Sequence, residues 1–151
     1  MAPSLLPRRN DRVQSCEFDD GGLTRHLDGL AACRACGNSD PAALPVLSLA
    51  RRAQLMLIGQ APGKTETIDR RPFAGRAGRT LFRWLARAGV SEDEAREHIY
   101  IAAITRCYPG PSPSGRGDRV PSSREQDLCG GWLRSELQLM RPRLLIPVGR
   151  L

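Results

Sequence analysis

Apolar residues along this chain gather into short runs, separated by polar stretches rich in proline and glycine, and their spacing sets the expected elements. The run AQLMLI, Ala53 to Ile58, is short and closes on Gly59, as a buried strand does. HIYIAAIT, His98 to Thr105, is a second strand, apolar enough to be covered on both faces as parallel strands are. RLLIPVG, entered from Pro142, is a third. Helical spacing fills the intervals. Leu23 to Ala32 suits a short helix. Ala77 to Ala88 is amphipathic, with Leu81, Trp84, Leu85 and Ala88 on one side and Arg76, Arg79, Arg83 and Arg87 within an arc of roughly 80° opposite. Gly89 ends that helix, and SEDE, Ser91 to Glu94, is a capping box for the next. SSRE, Ser122 to Glu125, caps a helix carrying Leu128, Leu133, Leu137 and Met140, interrupted at Gly130 and Gly131 and stopped by Pro142. Strand and helix alternate, so the expected class is α/β with a mainly parallel sheet.

With 151 residues the chain has room for one domain with a core of its own. Residues 1 to about 22 are polar and charged and read as a flexible N-terminal arm. No apolar run approaches membrane-spanning length and the N-terminus has no signal-like segment, so a soluble intracellular protein is expected. The balance is basic, 23 Lys+Arg against 16 Asp+Glu, with Lys64 as the single lysine. A net charge of +7 and a pI near 9.9 suit a polyanion such as nucleic acid. Genomic bias towards arginine explains the same excess, and charge alone leaves both open.

The stretch LIGQAPGKTE, Leu57 to Glu66, ends in Gly-Lys-Thr and invites comparison with a phosphate-binding loop. Such a loop needs four residues between its first glycine and Gly-Lys-Ser/Thr, and it must run straight into a helix. Only three separate Gly59 from Gly63, and Pro72, Gly75 and Gly78 are expected to keep a helix from starting before about Ala77.

The cysteines offer a second constellation. Cys33 and Cys36 form a CxxC pair before the first strand, Cys107 follows the second, and Cys129 lies in the last helix. A parallel sheet can bring these points to one edge, where four thiolates suit zinc or a [4Fe-4S] cluster; buried inert thiols are the alternative. Cys16 lies in the arm and is given no role.

Taken in order, LIGQAPGKTE, RRPFAGRAGRTL, YIAAITRCYPG, PSSREQDLC and RPRLLIPVGRL resemble the iron–sulfur uracil-DNA glycosylases, in their family 4 and family 5 branches. The resemblance spans about Leu23 to Leu151 and implies a three-layer α/β/α domain over residues 23–151, incomplete at its C-terminus and lacking a last strand. It implies hydrolysis of the bond joining uracil to deoxyribose in DNA, leaving an abasic site. By the same resemblance Gly59, Ala61, Pro62 and Gly63 approach the extruded base, with Gln60 as the catalytic position and Lys64-Thr65 incidental. Phe73 is the aromatic face on which uracil stacks, an ordinary core phenylalanine being the alternative. Arg76, Arg79 and Arg83 contact DNA phosphates or simply form a solvated face. Cys33, Cys36, Cys107 and Cys129 hold a structural [4Fe-4S] cluster, with zinc as the alternative. The implied protein is a cytoplasmic, prokaryotic monomer whose partner is DNA containing uracil.

The sequence departs from that pattern at informative places. Family 4 has Glu where Gln60 stands and an Asn where Ala103 aligns; family 5 places an Asp where this chain has Arg76. The family's His-Pro-Ser loop has no counterpart before Leu151, and neither His26 nor His98 occupies its position. SPSGRGDR reads as an insertion between Cys107 and Cys129, a basic loop. Two other functions therefore stand beside base excision: a DNA-binding module of the same fold, and a zinc-stabilised nucleotide-binding protein built on Gly-Lys-Thr.

Overall fold

A computed structural model describes residues 20–36 and 44–149. Cys16, most of the arm and most of the loop after the CxxC pair lie outside the described residues. The elements are α1 (Asp20–Ala31), β1 (Leu55–Gly59), α2 (Lys64–Asp69), α3 (Arg76–Arg87), α4 (Glu92–His98), β2 (Ile99–Ala103), α5 (Ser123–Met140) and β3 (Leu144–Pro147). All three strands are parallel, in the order β2-β1-β3, with Leu57 opposite Ile101 on one side and Ile146 on the other.

That order explains the layers. The chain crosses from β1 to β2 in one direction and returns over β1 to β3 in the other. Crossovers of one hand then place their helices on opposite faces of the sheet. Side chains alternate along β1 accordingly. Met56 and Ile58 pack with Leu23, Leu27, Tyr100 and Met140 beneath α1 and α5. Leu55 and Leu57 pack with Leu81, Phe82, Ala95 and Ile101 beneath α3 and α4. The result is the expected α/β/α arrangement. β3 lies at the edge of the described sheet, and its Leu144 and Leu145 are about half exposed.

Four local expectations are corrected. A helix does begin before Ala77: α2 starts at Lys64 and is closed at Arg70, whose φ of 53° is left-handed. α1 starts at Asp20, three residues before Leu23, and buries Leu23, Leu27 and Leu30 at helical spacing. α5 runs unbroken through Gly130 and Gly131. Each glycine costs about 1 kcal/mol relative to alanine in a helix; packing of Leu133, Leu137 and Met140 on the core outweighs that. Finally, Trp84 is 60% exposed, while the buried stripe of α3 is Gly78, Leu81 and Phe82 with Leu85 beside it.

Two helix starts match the sequence closely. Ser91 Oγ accepts from the Glu94 amide while Glu94 accepts from the Ser91 amide, and Ser122 and Glu125 repeat the arrangement.

Candidate active site

The carboxyl ends of parallel strands, where crossovers leave in opposite directions, form a natural crevice. Here that crevice is a cavity of about 510 Å³. Gly59, Gln60, Ala61, Pro62, Gly63, Phe73 and Arg76 all line it, as do Ala103 at the end of β2 and Val148 after β3. Arg79 and Arg83 do not; they stand exposed along α3 with Arg76 at its first turn. Lys64 and Thr65 line the cavity too, as do two acids that the sequence pattern did not single out, Glu66 and Asp118.

Gly59 shares the sheet face of Leu55 and Leu57, and the Phe73 ring covers it. A Cβ on Gly59 would lie 3.3 Å from ring atom Cζ. The ring therefore stands against the strand end, with its own backbone at a left-handed φ of 51°. Such a conformation is unfavourable for a bulky residue and persists where neighbours enforce it. Arg96, on α4, enforces it. Its Nη1 donates 2.8 Å to the Pro72 carbonyl and its Nη2 3.2 Å to that of Phe73. The guanidinium is itself fixed, by Glu92 at 2.8 Å and by the Phe82 ring 4.4 Å below it.

Glu66 ties the two halves of the loop together. Its Oε2 accepts from the Gly63 amide at 3.1 Å and its Oε1 from the Gly75 amide at 2.8 Å. The same bonds separate this loop from a phosphate-binding one. The amide that would meet a phosphate at Gly63 is already held by a carboxylate, and α2 has only six residues. Glu66 stands three residues after Gly63, the acidic position of a capping pattern, and that spacing was its available signal.

The cysteines lie near one another at another part of the molecule. Burial, then the neighbouring Cys36, Cys129 and Cys33, push the Cys107 thiol up to about 12. Cys36 is raised by burial, Cys33 and Glu125; Cys129 is raised by burial, against the Arg106 amide and charge. All four thiols thus lie within electrostatic reach of one another. Among the described residues, no three Cys, His, Asp or Glu side chains stand close enough together to hold a metal ion.

Beside this group lies a buried polar cluster that periodicity could not reveal. Glu136, fully buried, pairs with Arg106 and accepts 2.7 Å from the Tyr100 hydroxyl, with His26 Nε2 at 3.5 Å. Burial pushes the Glu136 carboxyl up, but His26, Arg106 and Tyr100 together hold it below its usual range. Arg106 is 1% exposed, and its Nε and Nη1 have no hydrogen-bond partner among the described residues.

A concave, largely apolar cavity at the carboxyl ends of parallel strands is where open α/β sheets receive small ligands. The family model of the uracil DNA glycosylase superfamily matches residues 48–151, and the chain belongs to that superfamily. It is 33% identical over 99 residues to a type-4 uracil-DNA glycosylase of Archaeoglobus fulgidus, covering 66% of this chain and 45% of the relative. Against the type-4 enzyme of Saccharolobus solfataricus the figures are 34% over 100 residues, 66% and 42%. A type-5 uracil-DNA glycosylase of Pyrobaculum aerophilum is 34% identical over 112 residues, covering 66% and 46%. The chain spans a little under half the length of these relatives. Among the described residues, no helix is long and apolar enough to cross a membrane.

Proposed function

We propose that this chain carries the base-receiving site of a DNA repair glycosylase, which hydrolyses the N-glycosidic bond of uracil in DNA and leaves an abasic site. The observation that carries the reading is the Phe73 ring over Gly59 in the lining of the cavity. A base taken out of the duplex loses its stacking partners, and an aromatic face replaces them. Gly59 to Gly63 bring backbone close to the base and its sugar, Gln60 orients the water, and Arg76, Arg79 and Arg83 track flanking phosphates.

Within the same proposal, Cys33, Cys36, Cys107 and Cys129 hold a [4Fe-4S] cluster, with zinc as the alternative. Four thiols within electrostatic reach of one another support either, although among the described residues they stand too far apart to ligate and would have to close on the group. The unpartnered donors of buried Arg106 suit the net negative charge of a four-thiolate centre. When bound, such a group supplies structural cross-linking and no chemical step. Metal and acid-labile sulfide analysis of anaerobically purified protein tests this: iron with sulfide is expected, and zinc without sulfide would remove the cluster.

Base release from an oligonucleotide carrying a single uracil, followed by alkaline cleavage, tests the activity. Strand breakage that requires uracil is the expected result. DNA binding without any release favours the second reading, a binding module, which Gln60 in place of a carboxylate supports.

A further inference from the structure

The reaction proposed above leaves a chemical need that Gln60 does not meet. As uracil departs with the bonding pair, the sugar gains positive charge, and a nearby carboxylate lowers the energy of that state. Only two acids line the cavity among the described residues, Glu66 and Asp118. Glu66 has both oxygens committed to the amides of Gly63 and Gly75. It is part of the wall.

Asp118 comes from the segment that the sequence marks as an insertion. That segment folds back as a small hairpin: Pro111 pairs with Asp118, Arg119 donates 3.0 Å to the Gly110 carbonyl, and Ser112 donates 2.9 Å to that of Gly117. Its base is clamped by Arg119, which donates twice to Glu125, at 2.7 and 2.6 Å. Burial, and after it the neighbouring Asp118 carboxylate, raise the Tyr108 hydroxyl, so Tyr108 stands beside Asp118. The return of this hairpin carries Asp118 Oδ2 to within 2.9 Å of where a Cβ on Gly63 would stand. Asp118 is exposed, at the rim of the cavity, and so open to a bound strand.

We propose that Asp118 is the catalytic carboxylate of this site, facing the sugar of the extruded nucleotide. The inference rests on the glycosylase reading. Water oxygen bonds to the sugar C1′ as the bond from C1′ to uracil N1 breaks. The electron pair leaves on uracil, and the water proton passes to Asp118. A basic surface loop, as the sequence reads it, thus delivers the carboxylate that faces the cavity from its rim.

The test compares this chain with Asp118→Asn, a change of equal size at an exposed position. Binding is measured to two DNAs, one carrying a cationic pyrrolidine in place of the target sugar and one carrying neutral tetrahydrofuran. The wild-type chain is expected to prefer the cationic analogue by roughly tenfold, and Asp118→Asn to lose that preference while binding the neutral analogue at least as well. Single-turnover uracil release is expected to fall by about 100-fold, the scale of removing an acid/base group. An unchanged preference in Asp118→Asn, or none in the wild type, overturns the inference. The glycosylase reading fails by a different result, no uracil release from the wild-type chain, and the binding preference judges Asp118 in either case.

Discussion

A Cβ at Gly78 would lie 1.7 Å from the carbonyl oxygen of Phe73, so the first turn of α3 and the turn before it share space that only glycine leaves open. Helix propensity alone favours Gly78→Ala by about 1 kcal/mol. Overpacking against rigid backbone costs up to about 3 kcal/mol and wins. Gly78→Ala is therefore expected to lower the denaturant midpoint by the equivalent of about 2 kcal/mol. A rise in the midpoint would show that Phe73 does not hold this position.

Glu66→Gln removes one acceptor from a carboxylate that serves two amides, and it turns an amide donor towards Gly63 or Gly75. The expected cost is about 2 kcal/mol of stability. Displacement of the loop should lower uracil release by roughly 10- to 100-fold. Unfolding curves and single-turnover rates measured together decide it: full activity would remove Glu66 from the wall of the site.

The hairpin that carries Asp118 depends on pH through its clamp. The Arg119 guanidinium beside Glu125, aided by the Ser122 amide and hydroxyl, holds that carboxyl down to about 2 from 4.5. A depressed acid stabilises the fold fully above its unfolded value and progressively less as pH falls through its folded value. The stability difference between wild type and Glu125→Gln should therefore be constant above about pH 4.5 and shrink from there towards pH 2. Urea midpoints across that window check it, and a difference independent of pH would contradict the clamp.

Arg76, Arg79 and Arg83 stand exposed on one helix, open to a phosphate backbone. Replacing Arg79 and Arg83 with alanine should reduce the slope of log affinity against log salt by about two, one for each phosphate no longer neutralised. An identical slope would return them to the role of a solvated face.

Much of this was legible in the sequence because it rests on local rules. The three strands announce themselves as apolar runs, and Ser91 and Ser122 announce their helices by capping. The strand-end loop was visible in its glycines and proline. What was not legible depends on the meeting of distant segments. Trp84 and Phe82 lie two residues apart, and periodicity alone did not say which of them meets Arg96 and the core. Nor does spacing show that Asp118 reaches Gly63, or that Tyr100, Arg106 and Glu136 meet in the interior. α2 was hidden because its capping acid, Glu66, looks like part of a polar loop.

The central claim is that the Phe73 ring is the face on which the base rests, and Phe73→Leu against Phe73→Tyr tests it most directly. Leucine keeps apolar bulk and loses the π face, while tyrosine keeps both. Stacking is worth about 1–3 kcal/mol per base. Single-turnover uracil release should therefore fall roughly 10- to 100-fold in Phe73→Leu and stay near wild type in Phe73→Tyr. Full release by Phe73→Leu, with the protein folded, would contradict the account.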